Sequence, residues 1–181
     1  MKQQALLVID LQNDFTRAEG KLPACTAEVD EILPIVNAAV AHWHVHGRPV
    51  LVLTTQWGSW LMRWLTKQSV APGTRGAALD TRLSVGGAAH LVKPAKSIFT
   101  CPELAAWLEA HDVTQLVLCG LAAEHCITAS TLQALKQGYD VLLLTDAIAS
   151  YKPGARAEVF RSLSAQGAQL RTQSNLSVST G

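Results

Sequence analysis

The sequence has no marked excess of charge of either sign. Its 181 residues include 15 Lys and Arg and 14 Asp and Glu, which gives a formal net charge of +1. Nucleic acids and anionic membranes are bound through clustered basic side chains, and the sequence contains no long run of like charge. We therefore expect neither a nucleic acid nor a membrane as the main partner.

Long apolar segments and export signals are also missing. The longest apolar runs are about as long as a strand, whereas a membrane-spanning helix needs about 20 apolar residues. The first four residues contain one Lys and have no signal-peptide layout. On these grounds we expect a cytoplasmic protein.

The chain has four cysteines, and their spacing excludes two common motifs, the CxxC pair and the zinc finger. The four cysteines stand at positions 25, 101, 119 and 126, with no CxxC pair and no zinc-finger spacing. In a reducing compartment they are expected to be free thiols.

The sequence has neither GxGxxG after its first predicted strand nor a GxxxxGKS/T motif, so no motif supports nucleotide binding.

Three histidines at alternate positions, His42, His44 and His46, suggest a metal cluster at first sight. On a helix, however, only His42 and His46 share a face. The tract also ends a predicted helix, on the side of the sheet away from the carboxyl ends of the strands. We therefore predict no metal site there.

Apolar runs alternate with segments of helical spacing along the whole chain. Hydrophobic residues make up 49% of it, enough to fill a core. The runs predict strands, and the spaced segments between them predict helices. The predicted strands are 5–9, 49–54, 89–92, 115–119, 139–145 and 168–171; the predicted helices are 27–46, 102–110, 124–137 and 153–166. This pattern predicts a single α/β domain over 1–181, with a loose tail at 172–181 and a parallel sheet covered by helices on both faces.

The most informative stretch is 116–130. It reads as a strand that breaks at Gly120, followed by a helix whose first turn contains Cys126. A side chain at this turn lies at the carboxyl end of a strand, where open α/β sheets bind ligands. The positive end of a helix dipole favours a thiolate, which is the nucleophilic form of cysteine.

Two charged side chains follow other predicted strands at the same edge of the sheet. Asp10 follows the first strand and Lys93 follows the third. Taken alone, Asp10 is consistent with a capping residue and Lys93 with a solvated one. If the first strand is central and neighbours 115–119, both side chains converge on Cys126.

Three tryptophans fall within residues 57–64, just beyond the second predicted strand. One interpretation is a short amphipathic helix that packs on the body of the protein or on another subunit. The other is an aromatic wall over a site at the edge of the sheet. Both interpretations can hold together.

Five motifs in order resemble those of the isochorismatase-like cysteine hydrolases, which include nicotinamidases and N-carbamoylsarcosine amidases. The resemblance covers residues 5–171. The motifs are D-x-Q-x-D-F at 10–15, P-G-T-x-G-A at 72–77, K-x-x-x-S-x-F at 93–99, G-x-x-x-x-x-C at 120–126, and the pairs G-Y at 138–139 and D-A at 146–147.

The resemblance implies a three-layer α/β/α, Rossmann-like fold around a six-stranded parallel sheet. It implies a catalytic triad of Asp10, Lys93 and Cys126, and a cis peptide bond at Leu121–Ala122. The backbone N–H groups of Ala122 and Cys126 would then form an oxyanion hole. This chain departs from the family at Ala123, where Thr is frequent.

A second departure concerns the metal. Metal-binding nicotinamidases carry Asp-x-His after the second strand, where this chain has Thr55-Gln56-Trp57. We therefore predict no metal site and no cofactor. The expected partners are a small-molecule substrate and further copies of the chain in a homo-oligomer.

The resulting hypothesis is a metal-independent hydrolase of non-peptide C–N bonds. Cys126 would form a thioester, Asp10 would act as general acid and base, and Lys93 would be their electrostatic partner. We place the apolar wall of the substrate pocket at Phe15, Trp57, Trp60 and Phe99.

Three alternatives remain open. One is hydrolysis of a vinyl ether, as in isochorismate, although the family's isochorismatases lack the nucleophilic cysteine. Another is a non-catalytic binding module that keeps the scaffold. The third is a redox sensor, which also needs an exposed cysteine of low pKa.

Overall fold

A six-stranded parallel sheet forms the centre of the fold. The computed structural model describes residues 3–176. The strands are β1 Gln4–Ile9, β2 Val50–Thr55, β3 Ala89–Lys93, β4 Gln115–Gly120, β5 Asp140–Ile148 and β6 Gln169–Arg171. Their order across the sheet is β3-β2-β1-β4-β5-β6, and every neighbouring pair is parallel. All carboxyl ends therefore lie at one edge, with β1 and β4 side by side in the middle.

Helices connect the strands, as parallel neighbours require. They are α1 Asn13–Thr16, α2 Thr26–Val45, α3 Trp60–Leu65, α4 Leu104–Ala110, α5 Thr128–Lys136, α6 Arg156–Ala165 and α7 Gln173–Leu176. A 3-10 turn at Ile98–Thr100 precedes α4, and a π-helical turn at Ala123–Ile127 precedes α5.

The core consists of two apolar layers, one on each face of the sheet. Along β1 the side chains alternate between them, because successive residues of a strand point to opposite faces. Leu6 and Val8 join the layer that contains the buried face of α2, and Leu7 and Ile9 join the layer that contains α4, α5 and α6. The predicted three-layer α/β/α fold is therefore confirmed.

Two element boundaries differ from the prediction. The helix predicted at 124–137 begins as a π-helical turn, in which the Ile127 N–H bonds the Ala122 carbonyl at 3.2 Å, five residues back. The strand predicted to end before Asp146 continues to Ile148, because a register shift lets its end pair with Gly120. The Asp146 carboxylate accepts the Gln173 N–H at 3.0 Å.

The last described residues belong to α7. Residues 177–181 of the predicted loose tail lie outside the described part of the chain. None of the helices described between residues 3 and 176 has both the length and the apolar character needed to cross a membrane.

Candidate active site

Asp10, Lys93 and Cys126 meet at the carboxyl edge of the sheet. Lys93 is the last residue of β3, Asp10 follows β1, and Cys126 lies in the π-helical turn after β4. The Lys93 Nζ donates to the Asp10 Oδ2 at 2.9 Å and lies 3.5 Å from the Cys126 Sγ. The structure thus brings together the three residues that were predicted from the sequence to form the site.

Thr55 completes this cluster, and the sequence analysis did not single it out. The strands that carry Asp10 and Lys93 are separated by β2, whose last residue is Thr55. The Thr55 hydroxyl donates to the Asp10 Oδ1 at 2.9 Å and accepts a hydrogen bond from the Lys93 Nζ. Its position at the end of the intervening strand was the signal that could have revealed it.

The charges of the cluster balance in a buried environment. Lys93 is 0% exposed and Asp10 is 2% exposed. Burial by itself would lower the pKa of Lys93, but the negative charge of Asp10 and its hydrogen bond with Lys93 raise it above 10.5, so the ammonium persists. Lys93 and Asp10 therefore form a buried ion pair.

The position of Cys126 at the start of a helix predicted a low pKa for its thiol, but in the structure this pKa is raised. Burial raises the pKa of Cys126 above its ordinary 9.0, and the charge of Asp10 raises it further, while Lys93 acts in the opposite direction. A thiolate beside the Asp10–Lys93 pair would leave a net negative charge in a buried site. The resting form is therefore a thiol, whose Sγ lies 3.5 Å from the Lys93 Nζ.

The D-x-Q-x-D-F segment holds the loops around this cluster. The buried Gln12 amide bonds the backbone of Thr55 at 2.8 and 3.0 Å and the Ala77 carbonyl at 2.8 Å. The Asp14 carboxylate accepts the Val70 N–H at 2.7 Å and the Lys21 N–H at 3.2 Å. Gln12 and Asp14 are therefore structural residues, and Asp10 is the member of the segment that reaches the thiol.

The turn that carries Cys126 requires glycine at its start. Gly120 has a φ of +109°, and a Cβ there would collide with the Ile9 carbonyl oxygen on the neighbouring strand. The Leu121–Ala122 peptide that follows is cis, as the resemblance implies. The Ala122 N–H donates to no other residue within 3–176.

A cavity of about 260 Å³ opens beside the thiol. Its wall is mostly apolar. The lining residues are Asp10, Phe15, Leu22, Thr55, Trp57, Met62, Thr66, Lys96, Leu121, Ala122, His125, Cys126 and Tyr151. Of the four predicted wall residues, Phe15 and Trp57 lie here.

The prediction is wrong for Trp60 and Phe99, which do not line this cavity. Trp60 and Trp64 share the outer face of α3, and their side chains are 77% and 68% exposed. Phe99 instead packs against the core, with its ring 5.9 Å from that of Tyr139.

The residues in α3 and directly after it that face the cavity are not the exposed tryptophans. Met62 and Thr66 line it. Their four-residue spacing places them on one face of the helix, as the same spacing places Trp60 and Trp64 on another. The spacing in the sequence could therefore have identified them, whereas the side chains of Leu22, His125 and Tyr151 gave no comparable signal.

No described group of residues suits a metal ion. Between residues 3 and 176 no cluster of three or more His, Cys, Asp or Glu side chains could hold one. At the position of the expected ligands, Thr55 bonds Asp10 and Trp57 lines the cavity. His42 and His46, with rings 4.3 Å apart, end α2 just before β2 begins, at the opposite edge of the sheet.

Comparison with known proteins agrees with this architecture. The chain is 29% identical to a streptothricin hydrolase from Streptomyces noursei over 86% of its own length, although it spans only 53% of that protein. It is 26% identical to the nicotinamidase of Escherichia coli over 95% of this chain and 96% of the relative. An isochorismatase family protein from Desulfovibrio vulgaris superposes with a TM-score of 0.87 at 24% identity, over 98% of this chain and 97% of that one.

The family model supports the assignment over almost the whole chain. The model described as the isochorismatase domain matches residues 4–175. This range contains every strand of the sheet and the whole of the cluster around Cys126. The chain therefore belongs to the isochorismatase family of hydrolases.

Proposed function

We propose that the chain is a metal-independent cysteine amidohydrolase that cleaves a C–N bond, other than a peptide bond, of a small molecule. The observation that carries this proposal is a buried thiol 3.5 Å from an ammonium that is itself paired with a carboxylate, at the wall of a cavity. The names of two relatives, a nicotinamidase and a streptothricin hydrolase, support the reaction class.

Asp10 acts as the base in the first step. Because the resting Cys126 is a thiol, its proton must leave as the sulfur attacks the carbonyl carbon. Asp10, whose negative charge acts on the thiol, accepts this proton as the general base. Lys93 keeps the charge of the cluster balanced while the S–C bond forms.

The backbone at Ala122 and Cys126 stabilises the tetrahedral intermediate. The substrate oxygen acquires a negative charge, which N–H donors at this turn offset. Ala122 lines the cavity and its N–H has no acceptor among the described residues, so it is available for this purpose. Loss of one such donor typically costs about 3 kcal/mol of transition-state stabilisation.

Collapse of this intermediate breaks the C–N bond. Asp10 returns its proton to the nitrogen, and the amine or ammonia leaves a thioester on Cys126. A water molecule then attacks the thioester carbon and gives a proton to Asp10. The C–S bond breaks, the acid leaves, and Asp10 reprotonates the sulfur.

A screen of small amides with ammonia release as the readout tests this proposal. We expect turnover by the wild type, and none above background by Cys126→Ala or Asp10→Asn. A Cys119→Ala variant is the matched control, because Cys119 is a buried thiol of β4 that does not line the cavity. Equal ammonia release by Cys126→Ala and the wild type would refute the proposal.

A further inference from the structure

The cavity contains a cation that no carboxylate balances. Lys93 is paired with Asp10, but Lys96, three residues further along, forms no ion pair with any residue in the described range 3–176. Lys96 lines the same cavity as Cys126 and remains exposed to solvent. An ammonium at the wall of a small cavity attracts an anionic group of a bound molecule.

His125 lines the same cavity as Lys96. It precedes the nucleophile directly, and its ring centroid is 5.4 Å from that of Tyr151. Although His125 is exposed as a whole, partial burial lowers its pKa below 6.5 and the positive charge of Lys96 lowers it further, while Glu124 acts in the opposite direction. At neutral pH His125 is therefore an uncharged imidazole that can donate one N–H, and Lys96 supplies the charge.

Glu124, the residue before His125, already accepts hydrogen bonds from other groups. The Glu124 carboxylate accepts the Tyr151 N–H and the Lys152 N–H, each at 3.2 Å. It thus holds the segment that carries Tyr151 at the cavity and does not pair with Lys96. The remaining carboxylate of the cavity wall, Asp10, is committed to Lys93.

We propose that Lys96 and His125 form a subsite for a carboxylate, so that the preferred substrates are small amides that also carry a carboxylate group. This inference rests on the proposed amidohydrolase function and specifies its substrate class. Apolar side chains, among them Phe15, Leu22, Trp57 and Met62, line the rest of the cavity. They suit a short hydrocarbon spacer between the amide and the carboxylate.

One ammonium and one neutral imidazole match a monoanion better than a phosphate. A phosphate group carries nearly two negative charges and three strong acceptor oxygens, and proteins usually meet it with arginines or several backbone N–H groups. Among residues 3–176, no arginine lines this cavity. A carboxylate has two oxygens, one for each of the two donors.

Binding of matched ligands tests the subsite without relying on turnover. The probes are the amidic acids oxamate, malonamate, succinamate and glutaramate, each compared with a neutral amide in which an isopropyl group replaces the carboxylate. Isothermal titration calorimetry of the Cys126→Ser variant gives the dissociation constants. We expect at least one amidic acid to bind about tenfold more tightly than its neutral partner, because a charged hydrogen bond contributes about this factor at a solvent-exposed site.

Variants of Lys96 then locate the effect. The preference should disappear in Lys96→Gln and persist in Lys96→Arg, which keeps the charge. Lys136→Gln is the matched control, because Lys136 is an exposed lysine at the end of α5 that does not line the cavity. A preference that survives Lys96→Gln, or neutral amides that bind as tightly as every amidic acid, would overturn the subsite, as would an absence of binding by all four acids.

The same set of variants separates this inference from the proposed function. If the subsite is correct and the hydrolase function is wrong, the carboxylate preference appears in binding but the wild type releases no ammonia. If the function is correct and the subsite is wrong, ammonia is released from neutral amides and Lys96→Gln leaves its rate unchanged.

Discussion

Replacing Lys93 with methionine removes the buried cation of the site while keeping a side chain of similar length. Lys93 is fully buried, and its Nζ bonds Asp10 at 2.9 Å, Thr55, and the Ala95 carbonyl at 3.2 Å. Removal of one partner of a buried ion pair costs about 3–5 kcal/mol, because the other charge remains without compensation. We expect Lys93→Met to lose this much free energy of unfolding at pH 7, measured by urea denaturation.

A double-mutant cycle separates the ion pair from simple loss of packing. In Asp10→Asn/Lys93→Met no uncompensated charge remains, so the loss should be smaller than the sum of the two single losses. Lys136→Met, at an exposed position, should change the free energy by less than about 0.5 kcal/mol. Additive single losses, or a loss below about 1 kcal/mol for Lys93→Met, would refute the buried pair.

The difference in free energy of unfolding between the wild type and Lys93→Met depends on pH in a definite direction. The pKa of Lys93 is raised above 10.5 in the folded chain, so the folded state holds the proton more tightly than the unfolded state does. The stabilisation by Lys93 is therefore complete below 10.5 and is lost as the pH rises through the folded value. The gap between wild type and Lys93→Met should be equal at pH 7 and pH 9 and narrow in more alkaline solution.

Three further predictions concern the thiol, the turn and the metal. Thiolate absorbance of the wild type minus that of Cys126→Ser should rise only above the ordinary pKa of 9.0, and a rise near pH 7 would contradict the protonated resting thiol. Gly120→Ala should lower the free energy of unfolding by about 3 kcal/mol or more, since it adds a collision with the Ile9 carbonyl to an unfavourable φ of +109°. Gly73→Ala, with a positive φ but open space around it, is the control and should lose less in the same urea denaturation. Dialysis against a chelator should leave ammonia release and the melting temperature unchanged, and activity restored by zinc, iron or manganese would contradict metal independence.

The sheet and the central cluster could be predicted because they depend on local patterns and simple topology. Apolar runs located all six strands, and residues that follow parallel strands necessarily share one edge. The convergence of Asp10 and Cys126 needed only β1 beside β4, which the structure contains. Lys93 follows the third predicted strand at the same edge, and the family resemblance assigned all three residues to a triad.

The protonation of the thiol and most of the cavity wall could not be predicted in this way. The sequence places Cys126 at the start of a helix, which favours a thiolate, but it does not reveal how deeply the sulfur is buried or how close Asp10 lies. Burial and the negative charge of Asp10 raise the pKa of this thiol. Similarly, Tyr151 reaches the cavity from a loop far along the chain, which no local spacing indicates.

Trapping the acyl-enzyme tests the central claim most directly. A small amide that the wild type hydrolyses is mixed with excess enzyme, quenched in acid during the first turnovers, and digested for mass spectrometry. The account predicts that the peptide containing Cys126 gains the mass of the acyl group, that the mass is released by hydroxylamine, and that it is missing in Cys126→Ser. Turnover without any acyl group on Cys126, or with the acyl group on another residue, would contradict it.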